Sequence, residues 1–96
     1  MIAAADIRAA LVELGDTPAA VALTLDAGGW RGRPRSNCLC PIANYLKARL
    51  RVGMVLFEVG GIAVPDAKLP GSHVPTQILE FIGEFDAGRW PQLVSA

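Results

Sequence analysis

Helical spacing governs four stretches of this chain, and strand character governs one. Ile7, Leu11 and Leu14 recur at i, i+4 and i+7, which predicts a helix over Ala3–Leu14 closed by Gly15. Thr17-Pro18 supplies an N-cap followed by proline at the first helical position, so a second helix is expected to run to Ala27. Its Ala19–Ala27 segment is apolar almost all round and is expected to be the most buried helix. Trp30–Cys38 has no usable period and mixes Gly, Pro, Ser and Asn, which reads as a loop. Pro41 opens a third helix with Cys40 or Asn37 near its N-cap; Ile42, Tyr45, Leu46 and Leu50 form its inward stripe and Gly53 its end. Met54–Val59 and Ile62–Val64 are apolar runs rich in strand formers and split by Gly60-Gly61, which predicts a β-hairpin over about 54–64. Pro65 and Pro70-Gly71 confine that hairpin and open a loop. Ile78, Phe81, Ile82 and Phe85 predict a last helix over about 75–87, followed by a Trp90-Pro91 turn whose Leu93 and Val94 cover the core. A two-stranded hairpin is marginal in water, so its apolar face must lie on the helices. The expected fold is α+β, with three N-terminal helices, one hairpin and a C-terminal helix in a single small domain.

Composition alters this picture in two ways. Ninety-six residues suffice for one core, but the apolar fraction leans on alanine and only six residues are aromatic. A thin core is expected, and a homodimer would add buried area. The charge total is zero, yet it is unevenly spread: residues 1–26 carry −3, residues 27–57 carry +6 with no acid, and residues 58–96 carry −3. One reading folds the acidic ends back on the basic middle and neutralises it. The sharper reading leaves a basic face for phosphate or an acidic protein. No run approaches the ~18 apolar residues of a membrane span, and the start MIAAADIRAA has no basic segment ahead of an apolar core. A cytoplasmic protein with Cys38 and Cys40 as free thiols is expected, with no membrane partner.

Two motifs carry a resemblance. CPIANYL at Cys40–Leu46 and FDAGRWPQL at Phe85–Leu93, with AGGWRGRP at Ala27–Pro34, resemble a group of small uncharacterised proteins of actinobacteria and their phages. The resemblance spans roughly residues 18–95 and implies no catalytic activity; a phage-encoded protein acting on a host factor is the setting it implies. Both motifs also have a plain structural account. Cys40 and Pro41 start a helix that Tyr45 and Leu46 anchor, while Phe85 packs and Trp90-Pro91 sets the exit direction.

Candidate chemistry centres on the acid-free middle. Arg31-Gly32-Arg33-Pro34-Arg35 resembles the core of an AT-hook, in which glycine reaches the minor-groove floor and arginines enter its negative potential. A solvated basic loop that meets an acidic surface is the competing reading. Cys40 at a helix N-terminus near arginines has a thiolate-favouring setting. The one histidine, His73, is remote in sequence, however, so an inert buried cysteine is preferred and no catalytic residue is assigned. Cys38, Cys40 and His73 lack a fourth ligand and the usual C-x₂-C spacing, so neither metal nor cofactor is expected. Glu80 and Glu84 read as solvated, and Asp86 as a cap or a partner of Arg89.

The sequence therefore predicts a non-enzymatic protein-interaction module. It docks an acidic protein surface through Trp30, Arg31, Arg33, Arg35, Lys47 and Arg51, with an exposed Trp30 as the anchor. A small DNA-binding protein using the RGRPR loop is the first alternative, and a homo-oligomeric structural or accessory protein the second.

Overall fold

In the computed structural model, which describes residues 2–95, the first three helices begin beside a side-chain acceptor for an amide at their start. Asp6 Oδ2 accepts from the Ala3 N–H at 2.8 Å as α1 (Ala4–Val12) begins. Thr17 Oγ1 accepts from the Ala20 N–H at 3.1 Å, and Pro18 takes the first position of α2 (Pro18–Ala27). At α3 (Pro41–Leu50) the same role falls to a sulfur, with Cys40 Sγ accepting from the Ala43 N–H at 3.3 Å. The last helix, α4, covers Thr76–Asp86. No described helix is long and apolar enough to cross a membrane.

Between α3 and α4 lies a three-stranded antiparallel meander of β1 (Leu56–Glu58), β2 (Gly61–Val64) and β3 (Ala67–Pro70), in the order β1-β2-β3. Phe57 faces Ile62, and Ile62 faces Leu69 in turn. The third strand corrects the expected two-stranded hairpin. Pro65 does not end the sheet, because it falls in the turn after β2 and leaves no sheet amide unpaired. Gly61 is the residue that permits the sheet. It sits at φ +140°, and a Cβ there would collide with the Leu69 carbonyl.

Helix α1 packs on α3 and β3, while α2 packs on α4 and on the short turn Pro91–Leu93. The shared core is filled by Ile7, Leu11, Leu25, Leu46, Phe81 and Phe85 among others, so the α+β architecture closes on one hydrophobic cluster. The α1–α3 seam has polar fasteners. Tyr45 Oη donates to the Ala10 carbonyl at 2.9 Å, and Arg49 grips Glu13 through two bonds of 3.1 and 2.8 Å.

Three local expectations are corrected. Helix α2 is not buried all round: Val21, Ala22 and Leu25 face inward, but Leu23 is 70% exposed, since α4 and the C-terminal turn cover one side only. Helix α3 is closed by Arg51 in the left-handed region (φ 57°), two residues before Gly53. Leu93 is fully buried as expected, whereas Val94 is exposed because its backbone pairs with Gly32 along the edge of the core.

Candidate functional site

The basic loop is tied down through its backbone. Where α2 ends, the Trp30 N–H donates to the Leu25 carbonyl at 2.9 Å, and the indole lies against Gly28 and packs T-shaped on the Tyr45 ring (5.9 Å, 82°). Trp30 is therefore half-buried against the core, which corrects the exposed anchor expected from sequence. Gly32 forms a parallel bridge with Val94. Its N–H donates to the Leu93 carbonyl at 2.9 Å, and its carbonyl accepts from the Ser95 N–H at 2.8 Å. A Cβ at Gly32 would meet backbone atoms of Leu39, Cys40 and Pro41, so this position admits glycine alone. The loop then folds on itself (Arg33 N–H to Leu39 carbonyl, 2.8 Å) and reaches the sheet (Phe57 N–H to Asn37 carbonyl, 2.6 Å).

The cationic side chains divide into two groups. Arg31 is neutralised by Asp26 at 2.9 Å, and Arg49 by Glu13, whose carboxyl it holds below the usual carboxylate range. Arg35, in the left-handed region at φ 57°, gives its N–H to Asp86 Oδ1 at 2.7 Å and one guanidinium N–H to the Asp86 carbonyl at 3.3 Å. Asp86 thus serves Arg35, 51 residues away, while Arg89 faces Glu84 at 3.9 Å; the expected Asp86–Arg89 pair is replaced. Arg33, Lys47 and Arg51 form no ion pair among the described residues.

Those three cations stand in the loop before α3, on α3 and just after it. Asn44 and Lys47 lie on successive turns of α3, and Arg51 follows the helix in the left-handed region, beside Arg49 and Leu50 in a cleft that Asp6 also lines. Asn44 Nδ2 donates to the Arg31 carbonyl at 2.7 Å, and the Leu39 carbonyl lies within 3.5 Å of the same nitrogen. The Leu39 carbonyl also accepts from the Arg33 N–H, so Asn44 ties α3 to the loop that carries Arg33. Asn44 is the connecting residue that the sequence reading passed over. A polar side chain next to the inward stripe, a turn before Lys47, was its only signal.

Cys40 is not set up for nucleophilic chemistry. It is 5% exposed, and burial pushes its thiol up to about 11, overriding the helix N-terminus and the amide bonds that act the other way. Beside it lies a cleft of about 370 Å³ that His73 does not line. No group of three or more His, Cys, Asp or Glu among the described residues is arranged to hold a metal ion. Glu80 is exposed, in keeping with its solvated reading. A scan against protein-family models, a search of curated proteins and a search of solved structures each returned no match.

Proposed function

We propose that this chain is a non-enzymatic interaction module that docks an acidic protein surface on the stripe Arg33–Lys47–Arg51. The observation that carries the reading is the division of the basic middle: Arg31 and Arg49 meet internal carboxylates and Arg35 is bonded to Asp86, while these three cations form no ion pair among the described residues. They also lie in a stretch of sequence without an acid. Charges so arranged steer an oppositely charged partner and set which surface it accepts. Trp30 contributes apolar surface at the loop end of the stripe, through a half-buried indole in place of a free-standing anchor. The resemblance in the Cys40–Leu46 and Phe85–Leu93 motifs supports a phage-encoded protein acting on a host factor as the setting. Binding through an AT-hook-like loop draws little support, because Gly32 already packs against Cys40 and Pro41 and its backbone is engaged by the C-terminal segment.

Pull-down from an actinobacterial lysate, wild type against Arg33→Ala/Lys47→Ala/Arg51→Ala, tests the proposal. Wild type is expected to recover an acidic protein whose retention falls as salt rises, and the triple variant to lose it. Equal recovery by both proteins would refute the stripe. Retention of an A·T-rich duplex at low salt, lost in the triple variant, would transfer the same stripe to nucleic acid.

A further inference from the structure

The loop that carries the cations also forms the rim of the cleft beside Cys40. Phe81 and Phe85 of α4 line it from the core, while Phe57 of β1 and Ile82 of α4 are half-buried and present apolar surface to it. Arg35 and Asp86 stand on the rim with the neutral Ser36 and Asn37. A volume of about 370 Å³ sits near the lower end of the roughly 300–1,000 Å³ typical of small-molecule sites, and apolar walls with a few convergent polar groups are their usual make-up.

Arg35 and Asp86 are fastened to one another in a way that leaves both charged ends unspent. The Arg35 backbone N–H donates to Asp86 Oδ1 at 2.7 Å, and one guanidinium N–H donates to the Asp86 backbone carbonyl at 3.3 Å. Each bond uses one main-chain group, so guanidinium and carboxylate do not meet as an ion pair among the described residues. Asp86 Oδ2 accepts no hydrogen bond from them, and most of the five guanidinium N–H donors are free. The carboxylate is felt inside the cleft: burial above all, with the Asp86 charge as a smaller contribution, pushes up the Cys40 thiol that lines the same space. The rim is therefore neutral in sum, with an acceptor and several donors side by side. An anion would meet the carboxylate of Asp86, and a cation the guanidinium of Arg35. A neutral ligand that can only accept would strip water from Oδ2 and return no hydrogen bond. A primary amide answers both groups, since its carbonyl oxygen and one N–H leave the same side of a planar unit.

We propose that this cleft binds a neutral aromatic amide, its rings against Phe57 and Ile82 and its amide bridging Arg35 and Asp86. The Arg35 guanidinium donates to the ligand carbonyl, and the Asp86 carboxylate accepts from the ligand N–H. The site is distinct from Arg33, Lys47 and Arg51 and needs no acidic protein partner. Charge-assisted hydrogen bonds at both ends of the amide fix its orientation, and the rings supply apolar contact.

Titration of the isotope-labelled chain with 2-naphthamide near neutral pH, followed by backbone NMR shifts, tests the assignment. Two controls keep the rings: 2-naphthoate exchanges the N–H for a negative charge, and methyl 2-naphthoate loses the N–H without gaining one. Saturable shifts confined to residues 35–37, 57 and 81–86 are expected, with naphthamide about tenfold tighter than either control. Asp86→Asn keeps an oxygen for the Arg35 N–H but turns the free carboxylate oxygen into a donor and leaves the cation unopposed. In that variant naphthoate should bind more tightly than naphthamide. Should it misfold, Arg35→Gln keeps the carboxylate without the cation and is expected to weaken naphthamide several-fold and to abolish the naphthoate shifts. Absence of saturable shifts at these residues, a control binding as tightly as naphthamide in wild type, or an unchanged order in Asp86→Asn would each overturn the assignment.

Discussion

The two arms of the basic middle, the loop before Cys40 and the helix after it, carry similar charge and hold it differently. In the loop, order comes from the main chain: Gly32 pairs with Leu93 and Ser95, Arg33 with Leu39, Arg35 with Asp86 and Asn37 with Phe57. In the helix, order comes from one apolar face, Ile42, Ala43, Leu46 and Leu50, and the cations ride on the solvent side. The loop is therefore intolerant of changes to its smallest residue.

Gly32→Ala breaks the first arm most severely. The added methyl group meets the backbone of Leu39, Cys40 and Pro41, which cannot move aside as a side-chain tip can. A loss of about 3 kcal/mol or more is expected in urea denaturation, and a loss under 1 kcal/mol would show that the loop is looser than described.

Cys40 joins the two arms, and its titration measures that joint. Its thiol lies near 9 when unfolded and is pushed up to about 11 by burial, so the folded state keeps the proton longer as pH rises. The associated stability is fully present below about pH 9 and is lost between about pH 9 and 11, by about 2–3 kcal/mol. Burial raises the Tyr45 hydroxyl as well, which adds loss in the same alkaline direction. Denaturation midpoints across that window should fall less steeply in Cys40→Ala than in wild type, and parallel slopes would place the thiol in water.

Asp86→Ala removes the acceptor for the Arg35 N–H and unfastens the loop from α4, at about 1 kcal/mol. In the helical arm, Lys47 is half-buried and forms no ion pair among the described residues, so Lys47→Ala should cost no more than about 1 kcal/mol, from the packing of its stem. A larger effect there would mean that the lysine is held by the fold and is not free for a partner.

The order of elements was legible because periodicity and caps agree along the chain. Thr17-Pro18, Cys40-Pro41 and the Ile78–Phe85 stripe stand where the structure uses them. The third strand was not legible, since Ala67–Pro70 is only four residues long, has no β-branched residue and ends in proline, and only its pairing with Gly61–Val64 makes it a strand. The end of α3 at Arg51 was missed for a similar reason, as a nearby glycine is the stronger local signal. Of the candidate site, the charged residues were readable from the absence of acids between Asp26 and Glu58. Which of them stay free was not, because Asp26, Glu13 and Asp86 are chosen as partners by tertiary geometry. The cleft is built from segments 35–37, 40, 57 and 81–86, a distance along the chain that no local pattern spans.

The pairing of Gly32 with residues 93–95 has a consequence for how this protein is made. A ribosome delivers the basic loop long before it delivers the strand that braces it. Until Leu93 and Ser95 have been synthesised, the nascent loop lacks two of its amide bonds and the α2 surface lacks its final cover. The cationic arm can therefore take its finished shape only once residues 93–95 have left the ribosome.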